Sequence, residues 1–366
     1  MKYRFTLILS IALLASCSKK PESVSAQQSP VAGTPVASAS SGPLKADSTQ
    51  PIVVKSTEER LKERVAEAVD RYPANANGRY GYIDKTGKFV IPPKFNGAYG
   101  FVNGLAPAQN DKERWGWIDA KGDWAIEPKY EIALPFSENL GVFRLDGKYG
   151  AVDKSGKVVI PASFTGMSQF VDGVAAVLMT HQHNGPFVSA AWGFIDREGK
   201  YIITPRFEAV TVFGEGVFGM RKLGANWGFL DLKMQQVIAP QFNEVAGFHE
   251  GLSGAKDRNM RWGFIDRKGS WAIKPQFANV SQFSEGKAGA FDFETRKWGF
   301  IDKTGSWVVK PRFEEATQFS NGLALVLLDG KDTYVDGTGK LVWQAPSPRP
   351  LDQPGIKLDK TDETNK

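Results

Sequence analysis

The chain has 366 residues, with 46 lysine and arginine residues against 40 aspartate and glutamate residues, and a formal net charge of +6 at pH 7. This excess is mild, and no block of basic residues is present that would follow nucleic-acid phosphates, so nucleic-acid binding is not expected. The single cysteine excludes an internal disulfide framework and a thiolate-ligated metal site.

The first 16 residues have the pattern of a secretion signal, with a basic beginning and an apolar stretch from Leu7 to Leu14. The four residues that end at Cys17 (LASC) resemble a bacterial lipobox, whose cysteine is acylated after cleavage. The resemblance implies a signal peptide over residues 1–16 and a lipid anchor on Cys17. No later apolar run is long enough to span a bilayer, so the chain is expected on a membrane and not through it. Ser18 after the lipid site implies the outer membrane, facing the periplasm or the cell surface.

Three further segments flank the main part of the chain. Residues 17–55 begin with the lipidated cysteine and continue in a Ser-, Ala- and Pro-rich stretch, which predicts a disordered linker. Residues 56–72 predict a short helix, because Ser56 or Thr57 can cap it and the apolar residues that follow share one face. Residues 345–366 are Pro-rich and then charged, which predicts a disordered tail.

Between these segments, residues 79–344 repeat one pattern about every 35 residues, which indicates an array of stacked structural units. The clearest copy begins at Trp262-Gly263-Phe264-Ile265-Asp266. The aspartate of this pattern recurs at Asp84, Asp119, Asp153, Asp196, Asp231, Asp266, Asp302 and Asp336. Eight equivalent acids are explained by a repeated turn and not by catalysis.

The pattern of each repeat predicts three strands. The Trp262 segment alternates as a half-buried strand, Asp266 to Gly269 fit a tight turn, and a second strand runs to a proline at 275. A third strand follows before the next repeat, as in Leu323 to Leu327.

Two further features recur at constant spacing along the repeats. Aromatic pairs six residues apart are expected to point into the core: Phe95 and Phe101, Tyr130 and Phe136, Phe164 and Phe170, Phe207 and Phe213, Phe242 and Phe248, Phe277 and Phe283, and Phe313 and Phe319. Three residues after each pair a positive φ is predicted, at Gly104, Asn139, Gly173, Gly216, Gly251, Gly286 and Gly322.

The repeats resemble the bacterial WG-repeat family, also called KWG repeats. The Trp-Gly dipeptide stands at Trp115, Trp192, Trp227, Trp262 and Trp298, with tyrosine instead at Tyr80 and Tyr149. The last unit has lost the glycine to Thr333. The resemblance specifies the repeat type and implies little about activity.

We expect an all-β open, solenoid-like array of about seven and a half three-stranded units, with the helix of residues 56–72 as a cap. The alternative is a closed, β-propeller-like ring. The open array is preferred because a blade usually has four strands, and because the extra hairpin from Asp332 to Trp343 has no obvious place in a ring.

Two sets of residues are candidate sites. His181 and His183 lie in the one long insertion and could begin a metal site if a third ligand such as His249 folds nearby; solvated loop histidines are the alternative. A stripe of rings after the turns is a candidate binding surface, or else core: Phe89, Trp124, Tyr201, Trp271 and Trp307.

The favoured function is a non-enzymatic, membrane-anchored envelope lipoprotein whose array binds a protein or a glycan. No cofactor is expected, and the partner is unknown. Two alternatives stay open: a metal-dependent envelope hydrolase that uses the His181 and His183 insertion, and a purely structural spacer.

Overall fold

The alternating apolar residues and the Asp–Gly turns form antiparallel strands along the whole described chain. The computed structural model describes residue 59 and residues 70–182, 188–221 and 224–349. The predicted signal peptide, Cys17, the linker, His183 and the tail beyond residue 349 lie outside these residues. So does nearly all of the predicted helix; Asp70 and Arg71 are not helical, and Tyr72 begins the first strand.

The strands form eight antiparallel sheets, or blades, each continuous in sequence. Blade 1 contains β1 (Tyr72–Ala76), β2 (Arg79–Ile83) and β3 (Phe89–Phe95); blade 2 contains β4 (Gly97–Ala98), β5 (Ala106–Gln109), β6 (Trp115–Ile118) and β7 (Trp124–Tyr130). Blade 3 contains β8 (Ile132–Ala133), β9 (Leu140–Leu145), β10 (Lys148–Asp153) and β11 (Val158–Phe164); blade 4 contains β12 (Gly166–Met167), β13 (Ala175–Gln182), β14 (Val188–Ile195) and β15 (Tyr201–Phe207).

The second half of the chain repeats this order. Blade 5 contains β16 (Ala209–Val210), β17 (Val217–Arg221), β18 (Trp227–Asp231) and β19 (Gln236–Phe242); blade 6 contains β20 (Glu244–Val245), β21 (Ser253–Lys256), β22 (Trp262–Ile265) and β23 (Trp271–Phe277). Blade 7 contains β24 (Asn279–Val280), β25 (Ala288–Phe291), β26 (Trp298–Ile301) and β27 (Trp307–Phe313); blade 8 contains β28 (Glu315–Ala316), β29 (Leu323–Leu328), β30 (Lys331–Asp336) and β31 (Leu341–Gln344).

The core lies between the blades. Eight apolar clusters are present, one for each pair of neighbouring blades, and both aromatics of every predicted pair are buried. The eighth cluster joins Tyr72 and Ile83 of blade 1 to Leu323 and Tyr334 of blade 8, so the array closes into a ring. We call this last interface the seam.

The predicted open array of three-stranded units is therefore wrong. The structure is a ring of eight β-propeller blades, seven of them with four strands and the first with three in the described part. The hairpin from Asp332 to Trp343 supplies the third and fourth strands of blade 8, and β1 supplies the opening strand of blade 1. Among the described residues the ring closes through side chains and not through a strand shared between blades 1 and 8, so closure leaves the hairpin in its place in blade 8.

The first strand of each four-stranded blade lies toward the inside of the ring and the fourth forms the rim. Next to the first strands, neighbouring blades come within hydrogen-bonding distance, as where Gln169 Nε2 donates to the Pro135 carbonyl at 2.6 Å. The fourth strands instead carry the exposed apolar residues of the rim, among them Val90, Val158 and Val308.

Steric crowding explains why glycine follows tryptophan in the Trp-Gly dipeptide. A Cβ on Gly263 would lie 2.4 Å from the carbonyl oxygen of Ile273, where β22 and β23 pair with an irregular register. The close approach of these two strands therefore requires glycine.

No helix among the described residues has the length and apolar character needed to cross a membrane.

Candidate functional site

The ring has two faces, because successive turns in an antiparallel blade fall at opposite ends of its strands. The turns between first and second strands and between third and fourth strands form what we call the repeat face. The turns between second and third strands, with the links between blades, form the variable face. Its described turn residues are 77–78, 110–114, 146–147, 224–226, 257–261, 292–297 and 329–330.

The recurrent aspartates lie on the repeat face and hold its turns. Asp266 Oδ1 accepts the N–H groups of Lys268 at 2.8 Å and Ser270 at 2.9 Å, and the other seven aspartates make the same pair of bonds. A hydroxyl two residues on does most to lower the pKa of the carboxyl at Asp84, Asp153, Asp302 and Asp336, and a backbone N–H does so at Asp119. The structure thus confirms the turn role.

A second set of carboxylates on the repeat face, which was not predicted from the sequence, joins neighbouring blades. The predicted positive-φ residues are confirmed, and the residue before each of them also has a positive φ. Where that residue is glutamate, its side chain accepts the glycine N–H of the next blade: Glu138 from Gly173 (2.8 Å), Glu215 from Gly251 (3.1 Å), Glu250 from Gly286 (3.0 Å) and Glu285 from Gly322 (2.9 Å). A glutamate repeated just before the turn glycine was the available signal.

The acidic side chains of the repeat face therefore stabilise its turns and four of the interfaces between blades. Arg197 adds an ion pair to Glu138 at 2.6 Å and Lys303 adds one to Glu250 at 3.3 Å, again across neighbouring blades. These glutamates are mostly shielded from solvent, with 12% and 9% of the side chain exposed. Their carboxylates form the same contact at different interfaces, so packing between blades restricts which residues can occupy these positions.

The variable face, by contrast, differs from blade to blade. Three of its turns are two residues long, whereas the second and third strands of blade 4, β13 and β14, have eight residues each and pair along their whole length. The described part of the predicted insertion, residues 180–182 and 188–191, therefore lengthens this antiparallel pair on the side of the variable face. His181 pairs with Ser189 in its register.

His181 and His249, two of the three candidate metal ligands, lie on opposite faces of the ring. His249 lies in the turn between β20 and β21, on the repeat face, whereas the backbone of His181 is on the hairpin of the variable face. Within the part of the chain that the structure describes, no three His, Cys, Asp or Glu residues are grouped to hold a metal ion. A metal site at His181 and His183 stays a prediction, and the described residues offer it no third ligand.

The predicted aromatic stripe lies between blades, at the start of fourth strands. Each ring meets an aromatic ring of the preceding blade nearly edge-on: Phe89 meets Trp343 (6.3 Å between centroids), Trp124 meets Phe95 (5.7 Å), Tyr201 meets Phe164 (6.4 Å), Trp271 meets Phe242 (5.5 Å) and Trp307 meets Phe277 (5.6 Å). All five are half-buried. The structure gives them a packing role, and their role as a binding surface stays a prediction.

Exposed apolar and cationic groups occur together on the variable face of blades 6 and 7. Met260 and Phe293 are 54% and 49% exposed at the tips of adjacent turns, and the Arg261 guanidinium lies 5.7 Å from the Phe293 ring. Below them, Lys256 lies 5.5 Å from the Trp262 ring and pairs with Glu244 at 3.3 Å. Arginine and aromatic side chains of this kind are the common anchors of protein interfaces.

The seam also opens on the variable face. A cavity of about 230 Å³ lies between the turn of blade 1 and the segment that follows β31. We call it the seam cavity, and it is lined by Asn75, Asn77, Gly78, Asp332, Ala345, Ser347, Pro348 and Arg349.

Comparison with known proteins identifies the repeat. The family model described as the WG containing repeat matches residues 80–113, 115–149, 149–179, 192–224, 227–259, 262–290 and 298–331. No curated protein matches the chain.

Several solved structures resemble the ring at low sequence identity. The computationally designed Ika8 protein is 12% identical over 75% of this chain and 95% of its own, with a TM-score of 0.44. Apo AztD from Citrobacter koseri is 12% identical over 75% of this chain and 93% of its own, with a TM-score of 0.47. A eukaryotic initiation factor is 10% identical over 78% and 93%, with a TM-score of 0.46.

Proposed function

The chain belongs to the WG-repeat family, and from that membership and its ring of blades we propose that it is a non-enzymatic binding scaffold that engages its partner through the variable face. The proposed partner is a protein or a glycan of the cell envelope. A lipid on Cys17 would hold the scaffold on the membrane, in keeping with the lipobox-like sequence.

The contrast between the two faces carries this proposal. On the repeat face the same aspartate contacts recur in the turns of all eight blades, and the same glutamate contact recurs at four interfaces between blades. On the variable face the turns differ in length and chemistry, which ring closure does not require. Loops held on a rigid scaffold are where binding residues usually lie.

Within that face, two features favour the sector from blade 4 to blade 7. The strands β13 and β14 lengthen blade 4 on the side of this face. Met260 and Phe293 expose apolar surface beside Arg261, although single exposed apolar residues elsewhere on the ring are spread along its rim. A partner that covers this sector would bury these side chains.

A capture experiment from an envelope extract tests the proposal. The full chain is compared with a variant in which residues 180–191 are replaced by a two-residue Asp-Gly turn, and with the double variant Met260→Ser, Phe293→Ser. The matched control is Val90→Ser, Val308→Ser, which removes exposed apolar side chains from the rim. We expect a partner that is retained by the full chain and the rim control and is lost in at least one variable-face variant.

The opposite pattern would refute it. If the rim control loses the partner while both variable-face variants keep it, binding occurs at the edge of the blades. If the triple variant Trp124→Ala, Trp271→Ala, Trp307→Ala, checked for folding, alone loses the partner, the aromatic stripe is the binding surface instead.

A further inference from the structure

At one position the seam carries an acidic residue where the other seven blade interfaces carry an aromatic one. Asp332 stands three residues before Val335, as Trp298 stands three before Ile301, and Val335 and Ile301 each pair with the first residue of the fourth strand. At this position the other blades carry a ring: Tyr80, Trp115, Tyr149, Trp192, Trp227, Trp262 and Trp298. Blade 8 alone places a carboxylate where the others place an aromatic side chain.

Asp332 belongs to a cluster of charged side chains that is mostly shielded from solvent. Arg349 forms an ion pair with Asp332 and a second with Glu315 at 2.8 Å. Only 11% of the Arg349 side chain and 13% of the Asp332 side chain is exposed. Two backbone bonds hold the segment that brings Arg349 here, from Ala345 N to the Asp332 carbonyl and from Arg349 N to the Gly330 carbonyl, both 2.8 Å. The charged pair is therefore fixed in place before any ligand arrives.

Asp332 lines the seam cavity. Its volume of about 230 Å³ lies below the roughly 300–1,000 Å³ of sites for drug-sized ligands, so the ligand is small. Asn75 and Asn77 contribute amides from blade 1, and Ser347 contributes a hydroxyl from the opposite wall. Pro348 adds an apolar surface.

These groups fit a neutral ligand rich in hydroxyl groups. Among the residues that line the cavity, the negative charge of Asp332 is balanced by the positive charge of Arg349, so the lining has no net charge and favours neither an anion nor a cation. Carboxylate, amide and hydroxyl groups together can accept hydrogen bonds from hydroxyl groups and donate to them, and Pro348 can face C–H groups. We propose that the seam cavity binds one ring of a neutral sugar. The assignment rests on the proposed function, since it makes a glycan one ligand of the variable face.

Saturation-transfer NMR on the purified full chain tests the site with three sugars of one ring type. N-acetylglucosamine is neutral, glucosamine is a cation and glucuronate is an anion. The variant Asn77→Gly removes the lining amide but keeps a residue that tolerates the φ of 54° at this position. Asn321→Gly is the matched control, because Asn321 has a φ of 52° in a turn of the opposite face.

We expect the neutral sugar to bind, the control to leave its affinity unchanged, and Asn77→Gly to weaken it roughly threefold to tenfold, the effect of one lost hydrogen bond. Asp332→Trp, which restores the ring of the other blades, should abolish binding. Absence of neutral-sugar binding, binding of glucosamine alone, or equal losses in Asn77→Gly and the control would overturn the assignment. A chain that captures a partner through the β13–β14 hairpin but binds no sugar would overturn the seam site and leave the proposed function intact.

Discussion

Two tyrosine hydroxyls at the seam provide a direct test of ring closure. Tyr72 donates to the Asn321 carbonyl at 2.6 Å and Tyr334 donates to the Pro73 carbonyl at 3.0 Å, so each bond joins blade 1 to blade 8. The two rings also meet each other, with 5.5 Å between their centroids. The variants Tyr72→Phe and Tyr334→Phe, singly and together, remove these two hydroxyl groups and leave the rings in place.

The expected loss follows from the groups left without a partner. Each substitution removes one hydrogen bond and leaves a partly buried carbonyl unsatisfied, which lowers the free energy of unfolding by about 1–2 kcal/mol. The double variant should lose about 2–4 kcal/mol, with a small departure from additivity because the rings touch. Tyr82→Phe is the matched control, since the Tyr82 hydroxyl donates to the Tyr99 carbonyl at 2.9 Å across the ordinary interface of blades 1 and 2.

Urea unfolding followed by tryptophan fluorescence measures these differences, with the slope against urea checked for constancy. In a closed ring the seam variants lose as much stability as Tyr82→Phe. In an open array the ends would lie apart and the seam hydroxyls would face water. Seam variants that change the free energy of unfolding by less than about 0.5 kcal/mol, beside a control that loses 1 kcal/mol or more, would refute closure.

Four further changes, one of pH and three of the chain, have specific expected outcomes. Burial raises the pKa of the Tyr72 and Tyr334 phenols above the ordinary 10.0, so their contribution to stability is complete below about pH 10 and is lost as the pH rises toward the folded-state values. Unfolding at pH 9 to 12 should therefore show stability that falls by up to about 1.4 kcal/mol per pH unit for each group, and less steeply in the Tyr72→Phe, Tyr334→Phe variant. Gly263→Ala should destabilise the ring by about 1–3 kcal/mol, because its Cβ would meet the Ile273 carbonyl at 2.4 Å, whereas Thr333→Ala at the corresponding position of blade 8 creates no such clash; urea unfolding distinguishes them. Deletion of residues 227–261, one repeat length, should abolish cooperative unfolding, because the remaining blades would have to change every interface to close; a shortened chain that unfolds as sharply as the parent would contradict this. Cys17→Ala should move the protein from the membrane to the soluble fraction of fractionated cells, and unchanged membrane association would exclude the lipid anchor.

The repeat, its turns and most of its strands were predictable because each depends on residues near one another in sequence. The Asp266 turn, the paired aromatics and the glycines of positive φ are set by local backbone geometry and burial, and the structure confirms them. Closure was not predictable in this way. It depends on contacts such as Tyr334 with Pro73, which lie far apart in the chain.

The strand count was wrong for a related reason. The first strand of each complete blade has only two residues, as in Gly97–Ala98, too few for a visible alternation. The sequence pattern also begins at the third strand of a blade, so the repeats appeared to end in a surplus hairpin. The glutamate contacts between blades were missed because Glu138 and Glu250 stand at positive φ, where glutamate is uncommon.

In the part of the chain that the structure describes, the ring closes without a shared strand, and this has a consequence for how the protein folds. Every hydrogen-bonded sheet in the described chain is made from consecutive residues, so each blade can form as soon as its own segment is available. Local pairing of this kind lowers the entropy lost before contacts form and favours rapid folding. The long-range step is then the meeting of blades 1 and 8, which comes last. The seam would be the first interface to open under thermal or mechanical load, and hydrogen exchange at Tyr72 and Tyr334 should report that opening before the other blades loosen.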